Sequence, residues 1–353
     1  MKMKASAITA AALLALAAQS ASATEAVGYN TLTVPTNSDV LVSVPFNQNA
    51  VGSFTVSSVT ANGVTVADTL TANAYTNGYY VRFTTGGGAG LWSTISTNGT
   101  GGFTLADTNA LTGVTAGNTF KVYPHQTLAK VFPDGLIDIA MEASIKHPTL
   151  PSIQTYKTQV LVYDGAATAW NKTPPLKYYF YNGAWRKVGS ALTASFDNSV
   201  LRPGAYFAIR NQNSSNELTY ISNGDVPQDT LAMTLVSGTA DDVLTTTGRP
   251  IPVTLAELGL GGTSAFVNSV KHPALPSIQT YGDRLLVFNN TGSIVNRTPS
   301  ATYYYYNGAW RKVGQALTAS FNTAVINPSE GFIIRKGNAL GSGVHVWANS
   351  ASY

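Results

Sequence analysis

The chain has 353 residues and a formal charge of +4, which falls to about +2 once Lys2 and Lys4 are set aside as part of a leader. Its remaining Lys and Arg are scattered, which excludes the basic patch that nucleic-acid binding needs. The absence of cysteine excludes a disulfide framework and a thiolate metal site, and 11% charged residues amid abundant Thr, Ser, Asn and Gly suit an exported β-rich protein better than a cytosolic enzyme.

Residues 1–23 join Lys2 and Lys4 to an Ala/Leu run through Leu13, Leu14 and Leu16 and end on Ala21-Ser22-Ala23. This reads as a Sec-type signal peptide cleaved after Ala23. The run is too short and alanine-rich for a good membrane span, and no later stretch approaches the roughly 20 apolar residues that spanning needs. The mature chain is therefore expected to be extracellular, on the cell surface or periplasmic.

Residues 24–126 carry short runs such as "VLVSVPF", "SFTVSSVT", "YYVRFTT" and "TFKVYP", in which apolar and polar residues alternate at strand period. Asn62-Gly63, Asn77-Gly78, Asn98-Gly99 and Gly117-Asn118 punctuate them as turn signals. Many short strands between turns predict a small barrel or sandwich. "GGGAG" at 86–90 has strand on both sides, so it reads as a hairpin loop; a phosphate cradle would need a helix start there.

Beyond residue 126 the chain repeats. Residues 145–210 align without gaps on 270–335, with roughly 37 of 66 positions identical, the mark of a duplicated module. "KHPTLPSIQTY" returns as "KHPALPSIQTY", "NKTP" as "NRTP" and "ALTASF" unchanged. The expected organisation is a first module over 127–222, connecting strands over 223–253 and a second module over 254–353. Helix signals are confined to short pieces around "TLAKVF", "IDIAMEASI" and "VTLAELG". The predicted fold is mostly β: an N-terminal small barrel or sandwich followed by two tandem homologous β-rich modules with short helical turns.

Each module contains an aromatic hairpin, "LKYYFYNGAWRKVG" from Leu176 and "ATYYYYNGAWRKVG" from Ala301. Asn-Gly between strand-forming runs is the strongest short hairpin signal, because both residues of a type I′ turn need positive φ. A two-residue loop sets Tyr306 opposite Ala309, Tyr305 opposite Trp310, Tyr304 opposite Arg311 and Tyr303 opposite Lys312. Phe180 replaces the ring at Tyr305, so the hydroxyl there is dispensable and the Trp185/Trp310 face is expected to pack inward. The other face keeps Tyr179, Tyr181 and Arg186, and Tyr304, Tyr306 and Arg311, a candidate platform on which a sugar ring could stack. The plain alternative is a structural hairpin, because no carboxylate accompanies the rings.

Other groupings carry less. His147 and His272 in "KHP", with Ser152 and Ser277 after them, lack the oriented acid of a nucleophilic triad. Asp134, Asp138 and Glu142 at helical spacing, and Asp241-Asp242, are the notable acidic groupings; neither matches an EF-hand, and a structural calcium site is the weaker alternative to a solvated surface. No cofactor is expected.

"AVGYNTLTVP", "YYVRFTTGGGAGLWSTIS", "AGNTFKVYPHQTL", "TYYYYNGAWRKVG", "GFIIRKG" and "VHVWANSASY" together resemble a family of exported conserved hypothetical proteins known mainly from Verrucomicrobia. The resemblance covers nearly the whole mature chain and implies an exported β-rich architecture with no catalytic residues to carry over. Function is expected to be non-catalytic and structural, in the cell envelope or extracellular matrix, with the chain itself as a partner through self-assembly. The alternatives are a glycan-binding or adhesive protein that meets cell-surface glycans on the hairpin faces, and an exported hydrolase.

Overall fold

The computed structural model describes residues 26–133, 144–146, 154–163, 168–271, 279–337 and 340–350. The protein is nearly all β, as the strand-period runs predict. Strands of four or more residues are numbered in chain order. β1 (Val27–Val34) and β2 (Ser38–Ser43) come first, followed by β3 (Gly52–Thr60), β4 (Gly63–Val66), β5 (Tyr79–Phe83), β6 (Trp92–Asn98), β7 (Gly102–Leu105) and β8 (Thr119–Pro124). β3 to β8 close into a six-stranded barrel in the order β3-β4-β7-β6-β5-β8. Its inward positions, among them Val64, Val81, Phe83, Ile95, Phe103, Phe120 and Val122, form one core. Closure removes the open edges that so polar a sequence would otherwise leave unpaired.

β9 (Thr158–Val162), β10 (Leu176–Tyr181), β11 (Ala184–Lys187) and β12 (Tyr206–Asn211) form a five-stranded sheet, ordered β11-β10-β9-β12-β2, while β13 (Leu218–Asp225) pairs with β1 as a separate ribbon. The second half repeats this plan. β14 (Leu231–Ser237), β15 (Asp241–Thr246), β16 (Arg284–Val287), β17 (Ala301–Tyr306), β18 (Ala309–Lys312), β19 (Gly331–Lys336) and β20 (Gly343–Asn349) give a sheet ordered β15-β19-β16-β17-β18 and a ribbon β14-β20. The boundary expected at residue 126 does not follow the sheets. β1 and β2 precede the barrel in sequence yet pair with β13 and β12 of the first module, so the barrel sits inside that module as an insertion. Strand alternation looks the same in both sheets, so periodicity could not assign those two strands. The connecting segment 223–253 supplies β14 and β15, one to the second ribbon and one to the second sheet.

Both faces of each sheet are covered, and period two sorts the residues between them. On the first sheet Val40, Val42, Val160, Phe207, Ile209 and Trp185 face a core completed by Val34, Leu218 and Tyr220 of the ribbon and by Leu128 and Phe132 of the short helix Leu128–Val131. On the second sheet Leu285, Tyr303, Trp310, Phe332 and Ile334 meet Leu235 and Trp347 of its ribbon in the same way. The opposite faces pack against each other, with Leu41, Leu161, Tyr206 and Ala208 against Leu286 and Phe288. The layers therefore run ribbon, sheet, sheet, ribbon.

A polar clasp surrounds this inner core and is exchanged between the halves. Arg210 grips Asp39 across the β12-β2 pair through Nε and Nη2, each at 2.7 Å, and Nη2 also donates to Asn296 Oδ1 of the second half at 2.7 Å. Arg335 grips Asp242 in the same geometry and donates to Asn171 Oδ1 of the first half. Asn296 N–H donates to Asp39, and Asn171 N–H to Asp242, at 2.8 and 2.7 Å. Asp39 N–H reaches Ile294 O while Asp242 N–H reaches Ala169 O. Asn171 and Asn296 hold positive φ of 54° and 53°, a backbone state that asparagine tolerates better than most residues.

The halves differ at a buried charged position. Lys336 and Asp283 form an ion pair out of contact with water, with Lys336 Nζ also donating to Ala265 O and Asp283 accepting from the Val267 and Gly337 N–H groups. The first half holds Asn211 and Thr158 at the corresponding places, paired across β12 and β9. Removing one partner of a buried pair strands the other charge, so Lys336→Met is expected to cost about 3 kcal/mol in urea denaturation. The double replacement Lys336→Asn with Asp283→Thr, which copies the first half, should unfold at a higher urea concentration than the single variant.

Candidate functional site

The hairpins form with the register the sequence predicts. Tyr306 stands opposite Ala309, Tyr305 opposite Trp310, Tyr304 opposite Arg311 and Tyr303 opposite Lys312, and the first module matches pair for pair. The loop residues Asn182 and Gly183 hold φ of 50° and 73°, and Asn307 and Gly308 hold 47° and 74°. This is the positive-φ pair of a type I′ turn. Trp185 and Trp310 are buried, and each meets its cross-strand ring edge-on, Phe180 at 5.7 Å and Tyr305 at 5.6 Å between centroids.

The second face is not an open platform. Tyr179 and Tyr304 are each only 2% exposed. Tyr179 lies edge-on to Tyr156 at 4.9 Å, and Tyr304 to Tyr281 at 5.1 Å, rings that arrive from the end of each "PSIQTY" segment. Burial first, and the adjoining tyrosine second, raise both hydroxyls above the usual tyrosine range, which keeps them protonated. Arg186 donates to Tyr181 O at 3.2 Å and Ala194 O at 3.0 Å, and Arg311 repeats this with Tyr306 O and Ala319 O. Each guanidinium thus ties its hairpin to the "ALTASF" loop that follows. Tyr181 and Tyr306 are half-buried. A sugar stacks on ring faces that water can reach, and the two innermost rings offer none.

The acidic groupings resolve in part. Asp241 pairs with Lys172 at 2.7 Å and accepts from Ala169 N–H, and Asp242 is held by Arg335 and Asn171, so both carboxylates of the pair are occupied by donors. Among the described residues, no group of three His, Cys, Asp or Glu side chains is placed to hold a metal ion. Asp134, Asp138 and Glu142, like His147, Ser152, His272 and Ser277, lie outside the described residues.

A cavity of about 550 Å³ lies between the first sheet and β15, lined mainly by apolar side chains such as Val162, Leu176, Leu201, Phe207 and Leu244, with the Lys172–Asp241 pair in its wall. Its walls offer apolar contact and one satisfied ion pair.

The most exposed apolar side chains of the described chain are Val27 and Tyr29, at 75% and 74%. They alternate along β1 with half-buried residues, and Thr31 and Thr33 continue the outward row. Among the described residues β1 pairs with β13 alone, and it carries no charged residue. Sequence reading passes over this strand because its alternation is ordinary; what marks it is an outer edge with no partner strand among the described residues beside its two most exposed apolar side chains, which only pairing and burial reveal. Comparison with protein-family models, with curated proteins and with solved structures gives no match.

Two outcomes follow from the burial. Tyr179→Ala and Tyr304→Ala should each lower stability by about 3 kcal/mol, because both leave a ring-sized gap in a packed pair. Buried His125 has its pKa pushed down to about 4, by burial first and by the charge of Arg202 second. The folded pKa lies below the unfolded value of about 6.5, so stability held above that pH should be lost as pH falls toward 4, by about 3 kcal/mol in total. Urea titrations across this range should show the loss, and His125→Gln should flatten the profile.

Proposed function

We propose that the protein is a non-catalytic structural component of the cell envelope or extracellular matrix, exported through the Sec pathway, that assembles with copies of itself by strand addition at β1. The observation that carries this reading is the uncharged outer edge of β1 with Val27 and Tyr29 exposed beside it. Soluble β proteins guard such edges with lysine, proline or a covering loop, because an unpaired row of N–H and C=O groups templates pairing with another chain. The expected signal cleavage after Ala23 leaves β1 close to the mature N-terminus, where a neighbouring strand would reach it without displacing any folded segment. Low charge supports the same reading, since little repulsion opposes close packing of like copies. Resemblance to an exported family supports the location.

Electron microscopy and sedimentation of the mature chain test it. The wild type should form extended assemblies, and Val27→Lys with Tyr29→Lys should leave a folded monomer of unchanged thermal midpoint. A wild type that stays monomeric at every concentration and is missing from the envelope and matrix fractions would overturn the proposal.

A further inference from the structure

Arg82 is a cation sealed into the joint between the barrel and the two modules. It projects from β5, is 3% exposed, and has no carboxylate within ion-pair distance among the described residues. One nitrogen donates to Asn47 Oδ1 at 3.2 Å, an oxygen that Tyr80 OH also reaches at 3.3 Å, and Nε has no acceptor. The guanidinium carbon lies 5.6 Å from the Tyr80 ring centre and 5.5 Å from that of Tyr123, two rings stacked on each other. Ring faces attract the positive charge but give its in-plane N–H groups nothing to bond. The nearby carboxylate of Asp229 is taken by Tyr123 OH at 3.2 Å and by Lys121 at 3.5 Å.

Beside Arg82 is a cavity of about 30 Å³, walled also by Asn47, Tyr80, Gln126 and Arg202. Arg202, which reaches the cavity from the solvent side, is exposed and makes no ion pair among the described residues. Two guanidinium groups therefore border a space about the size of one water or one monatomic ion. Every polar side chain in this wall can donate, and burying an uncompensated cation costs several kcal/mol.

We infer that this cavity is a halide site, in which a chloride ion accepts from Arg82 and Arg202 and neutralises the buried charge. The ion joins three parts of the fold: β5 of the barrel, the Asn47 and Arg202–Gly204 segments of the first module, and Leu231 and Gly248 of the second, which complete the wall. It is independent of the assembly edge on β1. The small volume favours a monatomic anion, chloride or bromide, over a carboxylate or sulfate.

Thermal unfolding of the mature chain, with sodium chloride exchanged for sodium gluconate at constant ionic strength, tests the site. The midpoint should rise saturably with chloride and with bromide and stay flat in gluconate, and Arg82→Met should abolish the dependence. Bromide-soaked crystals of the wild type should give an anomalous peak within hydrogen-bonding distance of Arg82, a readout that stands even if the variant does not fold. Identical midpoints in chloride and gluconate, or a peak absent from this cavity, would overturn the inference, and water would then be the occupant.

Discussion

The fold depends on a carboxylate that cannot be left alone. Asp39 and Asp242 each sit buried at the seam between the two sheets, and neither half supplies all the donors of its own aspartate. The arginine comes from the adjoining strand of the same sheet, but the backbone N–H and the asparagine oxygen that fix the arginine come from the other half. A lone module would expose the apolar face around Leu41 or Leu286 and leave its Asp–Arg pair without the bonds that orient it. The clasp thus couples charge satisfaction to burial of the inner core, and it does so twice around an approximate twofold axis. This is the arrangement of a symmetric dimer, realised within one chain.

Much of the clasp was already written in the repeat. "NKTP" and "NRTP" are the clasp loops, and Arg210 and Arg335 align in the duplicated stretch. What the repeat concealed was the acid. Asp39 lies before the barrel and Asp242 after the first module, so the insertion stretches their separation beyond the offset that aligns everything else. "TLTVPTNSDVLVS" and "TLVSGTADDVLTT" correspond, but only a gap the length of a barrel brings them into register. The hairpins were fully legible because their register is local, set by two turn residues. Burial of Tyr179 and Tyr304 was not, since it depends on Tyr156 and Tyr281, which reach the hairpin from outside its own strands. Two-sided burial of a strand is a tertiary property, and alternation within one hairpin says nothing of what covers its second face.

The two halves have diverged where each meets different surroundings. Arg297 donates to the carbonyls of Asn289, Asn290, Thr291 and Gly292 and to that of Asp39, closing its loop into a compact knot. Its counterpart Lys172 cannot fork in this way and pairs with Asp241 instead. The cavity of about 550 Å³ lies beside Lys172. A planar five-donor group fills and organises; an ammonium makes one strong contact and leaves space.

The barrel also decides which edge remains free. Its glycine-rich loop presses on the second ribbon, where Gly90 O accepts from Ala232 N–H and Ala232 joins the barrel core. A Cβ on Gly90 would lie 2.8 Å from Ala232 N, and its φ of 88° favours glycine for a second reason. On the other side the barrel stands off the first ribbon, leaving a groove of about 840 Å³ lined by Val51, Pro124, Lys130, Ile221 and Asn223. An insertion into one half of a symmetric pair must break the symmetry, and here it covers the second ribbon while leaving β1 uncovered. Two equivalent open edges would let copies add at either end of the twofold and grow without a defined direction. In the proposed assembly the two ribbons are therefore not equivalent, because the barrel lies against Ala232 of the second while β1 carries Val27 and Tyr29 exposed on the first.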